Sequence, residues 1–277
     1  MGNVIAIGAL GGSGTRAIAQ VLIEAGVYMG DNLNYPNDNL IFTRLLKNPA
    51  FHKTASNEDI NERLNVFKQY MERNHLNFHD AGILLKASTD NLNFKDNRKL
   101  WVTVIRKILT VPKQREVWGW KEPNTQIYIE ELYNFFDNLK YIHVVRHGLD
   151  MAFSNNKQQL LTWGYKYDIH VQGNEKEDEV AYKQLEYWIK STEESLKKGE
   201  KLGDNFLLIN HSTFCKSPKE QIDRIIEFSG LAVEEEKLSE LYKIPKQTKT
   251  IGRYQKHNLD IFDNHQIDFV KQLGFEV

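Results

Sequence analysis

The chain has 277 residues, 36 of them Lys or Arg and 37 Asp or Glu, for a formal net charge of −1. That balance excludes a global basic field for nucleic acid or a membrane surface, so an anion has to be captured by a local pocket. Hydrophobic residues make up 41% and charged residues 26%, as in a soluble globular protein with one substantial core, and the single cysteine, Cys215, excludes an intrachain disulfide and a zinc site of cysteine type.

In chain order, Val4–Ile7 is an apolar run of strand character. A glycine-rich stretch from Gly8 follows, then an apolar helical pattern at Ile18, Val21, Leu22 and Ala25, ending near Gly26. Strand, glycine-rich turn and helix in that order gather free backbone N–H groups around a phosphate. Gly11, Gly12 and Gly14 let the backbone approach an anion, Ser13 and Thr15 add hydroxyl donors, and the helix N-terminus adds about half a positive charge. The ATP/GTP pattern G-x-x-x-x-G-K-[ST] is not met: Gly8 to Gly14 is one residue too long, and Thr15-Arg16 stands where Lys-[ST] belongs. Taken alone, the loop also reads as a strand-to-helix turn without a ligand.

Residues 31–56 read as polar and turn-rich. Residues 57–75 predict a helix, because Ile60, Leu64, Phe67 and Met71 are spaced 4, 3 and 4 apart, with Asn57 as N-cap and Glu58 and Asp59 in the first turn. Residues 99–110 favour helix over strand, 114–118 a short strand, and 124–137 a helix. Tyr141–Val145 is a strand run ending in Arg146, and 149–161 is helical. Residues 162–178 form a polar loop with Trp163, Tyr165 and Tyr167, and 179–198 a helix. Leu207–Ile209 is a late parallel strand, followed by helices over 217–229 and 234–242. The alternation predicts a single α/β domain over residues 1–277, a central parallel sheet covered on both faces by helices, with ligands at the carboxyl ends of the strands.

The segment KYIHVVRHGLDMAFS, 140–154, places Ser154 eight residues after Arg146. With the first loop, it resembles the sulfotransferase family, which uses 3′-phosphoadenosine-5′-phosphosulfate (PAPS) as donor. The resemblance implies a P-loop-like site in which Gly11, Gly12, Ser13, Gly14, Thr15 and Arg16 hold the 5′-phosphosulfate. Arg146 and Ser154 then hold the 3′-phosphate. The GTRA string, 14–17, is similar to that of glycan-modifying members. WGWKEP, 118–123, resembles the lysine-acidic-proline string of tyrosine-protein and several bacterial sulfotransferases. Residues 205–231 resemble the family's late strand and helix, and TIGRYQKH, 250–257, its closing Gly-Arg-aromatic loop, which brings in Arg253. The matches run in order from residue 4 to about 257. Three positions depart from the pattern: Gly12 stands where Lys or Arg is usual, His147 where Asp is usual, and His211-Ser212-Thr213 replaces a tyrosine-acidic pair.

The resemblance implies transfer of a sulfuryl group from PAPS to an acceptor hydroxyl, of a carbohydrate or glycolipid, leaving PAP. No metal is required for it, and the nine histidines form no H-E-x-x-H motif. Such a transfer needs a cation for the leaving oxygen, donors for the sulfate, and a base for the hydroxyl. Lys121 is the expected cation. Arg16 reaches either the donor or a nearby carboxylate. The base is expected at Asp38, then Asp31, then Glu122, with His52 as a further alternative, although acidic residues in Asn-rich loops also serve as turn formers. Trp118, Trp120, Trp163 and Tyr165 are expected to stack on adenine or sugar. The acceptor surface is expected from 31–115 and 160–178. The N-terminus has no basic n-region and no 18-residue apolar stretch, so a cytoplasmic, bacterial-type enzyme without a transmembrane segment is expected. No nucleic-acid partner is expected, and neither the acceptor nor the oligomeric state is specified. Two other readings remain open: a P-loop nucleotide kinase or NTPase, and a non-catalytic module that binds PAPS or PAP.

Overall fold

The computed structural model describes residues 2–89, 94–247 and 249–277, with the backbone alone for 94–97. Its frame is a four-stranded, all-parallel sheet in the order β2-β1-β3-β4. The strands are β1 (Val4–Ala9), β2 (Trp118–Lys121), β3 (Leu139–Val145) and β4 (Phe206–Asn210). Every residue of β1 is buried, as a central strand covered on both faces requires. Its side chains alternate between two cores. Val4 and Ala6 face an aromatic-rich core, while Ile5, Ile7 and Ala9 face a smaller aliphatic one. The register sets Ile7 beside Lys121, Ala9 beside Val144, and Val145 beside Asn210. The carboxyl ends of all four strands therefore reach one edge together.

The helices are α1 (Thr15–Glu24), α2 (Leu40–Leu46), α3 (Pro49–Thr54), α4 (Asn57–Glu72), α5 (Phe78–Ser88), α6 (Phe94–Leu109), α7 (Ile129–Phe135), α8 (Gly148–Ala152), α9 (Gln158–Trp163), α10 (Glu177–Leu202), α11 (His211–Lys216), α12 (Pro218–Ser229), α13 (Glu235–Leu241) and α14 (Asn264–Gln272). On the aliphatic side, Ile18, Val21 and Leu22 of α1 meet Ile222 and Ile225 of α12.

Several local expectations are corrected. Residues 31–56 are not only turns, because they contain α2 and α3. Two asparagines are helix caps: the Asn39 side chain accepts from Ile41 N and Phe42 N, both at 3.1 Å, and that of Asn48 accepts from Ala50 N and Phe51 N. The cap of α4 is Ser56 rather than Asn57, in a capping box with Asp59. The short strand lies at 118–121 rather than 114–118. The helical pattern over 149–161 is divided between α8 and α9. Trp118 and Trp120 stack on each other, at 5.9 Å between ring centroids, inside the aromatic core with Phe42 and Phe67, so they do not face a ligand. Trp163 is also fully buried.

Candidate active site

The glycine-rich loop leaves β1 at Ala9 and enters α1 at Thr15. Gly12 and Gly14 hold φ of 96° and 85°, the left-handed region where only glycine is at ease. Gly14 is fixed a second way, since a Cβ there would come within 2.0 Å of the His211 ring. It caps α1 without any side-chain bond, and α1 has no acidic residue in its first turn. The positive end of the helix is thus left for an external anion. Ser13 and Thr15 are both buried beneath the loop.

The loop is tied to the end of β2 by residues that local sequence patterns do not reveal. Gly11 N donates to Gln159 Oε1, and Gln159 Nε2 donates to Ala9 O at 3.3 Å and to Asn124 Oδ1 at 3.1 Å. Asn124 also accepts from Trp163 Nε1 at 2.8 Å and donates to Glu122 from its backbone N–H at 2.6 Å and from Nδ2 at 2.8 Å. Glu122 is 2% exposed, and burial pushes its carboxyl up to about 7, against the pull of Lys47 and Asn124.

Lys121 ends β2 and is only 1% exposed. Its Nζ is bonded to the Asp38 carboxylate, and the other Asp38 oxygen accepts from Asn34 Nδ2 at 2.8 Å. Burial lowers the Lys121 pKa, opposed by Asp38 and Glu122. Arg146, one residue past β3, donates from Nη1 to Gly12 O at 2.8 Å and from Nη2 to Thr250 Oγ1 at 2.7 Å. Its Nε is buried without a partner among the described residues. The 250–257 loop is held by Asp150, which accepts from Gly252 N at 3.0 Å and Tyr254 N at 3.3 Å.

Gly11, Gly12, Gly14, Thr15, Arg16, Asp38, Lys121, Glu122 and Arg146 line one cleft of about 360 Å³ at the carboxyl edge of the sheet. Arg16 reaches it from an exposed position, its guanidinium 4.1 Å from the Tyr35 ring centre. Other expected residues lie elsewhere. Asp31 is engaged by Lys107 at 2.7 Å and Tyr70 at 2.6 Å and does not line the cleft. Ser154 accepts from Asn156 N at 3.2 Å and lines a separate recess with Lys157 and His257. Arg253 donates to Phe153 O at 3.3 Å, near enough to Arg146 for its charge to lower that group's pKa, after the larger effect of burial. His52 contacts Tyr165 Oη at 3.0 Å, and burial, then Lys166, lowers its pKa to about 4, leaving it neutral.

Lys47, the C-cap of α2, also lines the cleft. It was hidden in the stretch read as turns, and the signal for it is its position directly after the apolar helix LIFTRLL. Lys47 and Gln158 line a second, larger cavity of about 810 Å³ as well. The walls of that cavity come from residues 43–53, 87–88 and 158–171. Of the stretch 31–115 expected on the acceptor side, residues 90–93 lie outside the described residues. Among the described residues, no group of three or more His, Cys, Asp or Glu could hold a metal, and no helix is long and apolar enough to cross a membrane.

The profile of the Sulfotransferase family matches residues 5–235 of the chain. No curated protein matches it. Among solved structures, the sulfotransferase domain from the curacin biosynthetic pathway superposes with a TM-score of 0.52 at 14% identity, covering 100% of this chain and 99% of that one. Sulfotransferase STF9 from Mycobacterium avium superposes with a TM-score of 0.52 at 13% identity, covering 99% of this chain and 77% of that one. At these identities the structural likeness is one of fold.

Proposed function

Since the chain belongs to the sulfotransferase family, we propose that it transfers a sulfuryl group from PAPS to a hydroxyl of a carbohydrate or glycolipid acceptor and releases PAP. The observation that carries this reading is the meeting of Lys121, Asp38, Arg146 and the α1 N-terminus in one cleft. The residues suit a donor bearing phosphates and a sulfate. The loop glycines leave room for close approach, the first turn of α1 has no carboxylate of its own, and the buried, unpartnered Arg146 Nε is a donor in need of an acceptor.

The donor supplies an SO3-like group whose transfer builds negative charge on the bridging phosphate oxygen. Lys121 is suited to meet that charge in a buried setting, where a preorganised cation acts most strongly. Lys47 offers a second cation in the same cleft, where Gly12 supplies none. Asp38 is the favoured base. Its carboxylate is oriented by Lys121 and Asn34, and it takes the acceptor proton as the new O–S bond forms and the old S–O bond breaks. Glu122 is less suited, because Asn124 occupies both of its oxygens. Asp31 is less suited still, being engaged by Lys107 and Tyr70.

Thermal unfolding with PAP, compared with ATP–Mg²⁺, tests the reading. A ligand at 100 times its Kd stabilises a fold by about 2.7 kcal/mol. Stabilisation by PAP that is clearly reduced in Arg146→Ala supports it. Stabilisation by ATP–Mg²⁺ alone overturns it in favour of phosphoryl transfer, and PAP binding without transfer to any hydroxyl favours a binding module.

A further inference from the structure

The larger cavity adjoins the transfer cleft, and Lys47 and Gln158 line both. Its lining is chemically divided. Helices α2 and α3 bring Arg44, Lys47 and Lys53, while α9 and the segment after it bring Leu160, Leu161, Ile169 and Val171. No acidic side chain occurs among its described lining residues. In a chain with 36 basic and 37 acidic residues, that is a local departure from balance. The ion pairs among the described residues include neither Lys47 nor Lys53. Lys53 instead sits 4.1 Å above the centre of the Tyr165 ring, and Arg44 donates to the Leu40 carbonyl at 3.3 Å. His170 also lines the cavity, but the Asp168 carboxylate stands 3.4 Å from it, so it adds no free positive charge.

Like charges gathered in a concave, partly apolar site favour an anion, because field lines focus there and screening is reduced. An aliphatic wall favours an alkyl group by burying its surface. Resting on the sulfuryl-transfer reading of the neighbouring cleft, we propose that this cavity selects an acidic amphiphile as acceptor. The acceptor's anionic group is met by Lys53, its alkyl portion lies along Leu160, Ile169 and Val171, and its hydroxyl is presented at the Lys47 junction. A neutral glycolipid leaves Lys53 without an anion, and an acidic sugar without an alkyl chain leaves the aliphatic wall uncovered.

The test uses the full chain saturated with PAP and three probes kept below micelle formation: octyl β-D-glucuronide, octyl β-D-glucoside and methyl β-D-glucuronide. The first two differ only in carboxylate against hydroxymethyl, and the first and third only in the alkyl chain. By titration calorimetry, octyl glucuronide is expected to bind about fivefold or more tighter than either of the others. Its advantage over the glucoside shrinks in Lys53→Gln and in high salt, while glucoside binding stays unchanged. Equal binding of the two octyl glycosides, a preference for the neutral one, or no binding of octyl glucuronide overturns the proposal. Equal binding of the two glucuronides overturns its apolar half. The PAP melting shift separates the two levels: its presence without charge preference sinks this inference alone, and its loss sinks the transfer reading beneath it.

Discussion

Two lysines, Lys107 and Lys121, are each only 1% exposed, and each is bonded to an aspartate from the same polar stretch, Asp31 and Asp38. Their surroundings differ. Lys107 also donates to Asn74 Oδ1 and lies 4.4 Å from the centre of the Tyr70 ring, while Tyr70 bonds Asp31. That pair is held by protein groups, with Asp31 itself partly open to solvent. Lys121 has Asp38 as its bonded partner and stands in the cleft with the phosphate loop and Glu122. A buried ion pair is therefore no sign of function by itself; what counts is whether a ligand can share it.

Substitutions should separate the two pairs most sharply in turnover. Lys121→Ala is expected to lower kcat by about 10²–10³, as for loss of an oxyanion-type donor. An undiminished kcat under saturating donor would remove Lys121 from the chemistry. Glu122, the neighbour of Lys121, should add a pH signature. Its ordinary 4.5 is raised to about 7 in the fold, so the folded state holds its proton more tightly than the unfolded chain. Its contribution to stability is complete below about pH 4.5 and is lost as the pH climbs through about 7, at most on the order of 3 kcal/mol. Glu122→Gln should flatten that segment of the melting-temperature profile; an unaltered slope would mean the carboxyl titrates alike in the folded and unfolded chain.

Lys107→Met should act on the other pair and in the other currency. A loss on the order of 2–3 kcal/mol in denaturant unfolding is expected, less than for a wholly buried pair because Asp31 is partly open to solvent. The kcat of the folded fraction should stay near that of the unaltered protein, and a fall as large as that of Lys121→Ala would make the two pairs equivalent after all. Arg146→Ala should have the mildest effect on the chemical step, raising the donor KM about tenfold through lost charge-assisted bonds and changing kcat little. Steady-state kinetics with varied donor would show the split, and a drop in kcat alone would count against a binding role.

The parts of the molecule written in unbroken local patterns were legible in the sequence. β1 and the glycine loop are such patterns, because a strand buried on both faces is continuously apolar and a left-handed turn demands glycine; the strand before Arg146 keeps the pattern apart from Lys140 and the buried His143. Asparagines at 39 and 48 were misleading for a physical reason. The same side-chain oxygen that closes a turn also caps a helix, and only the following residues' backbone decides which. Asp38 was ranked above Asp31 as the base, but the physical difference between them lies in partners 83 and 76 residues away, which no local pattern shows. Gln159, which holds the loop at Gly11 across 148 residues, gives no local signal. Trp118 and Trp120 of WGWK share one face of β2 and both enter the aromatic core, and the local pattern does not tell whether protein or a ligand covers that face.

The Arg146 guanidinium joins the carbonyl of Gly12 to the hydroxyl of Thr250, spanning 134 residues in one direction and 104 in the other. A chain emerging during synthesis thus makes its glycine loop almost at once, yet lacks the Thr250 end of this link until nearly all the rest has been added. Contacts of such separation form late, after the loop-closure entropy has been met. A nascent chain arrested before residue 250 should already hold the sheet and still fail to retain the nucleotide, so that nucleotide retention would mark the completion of folding.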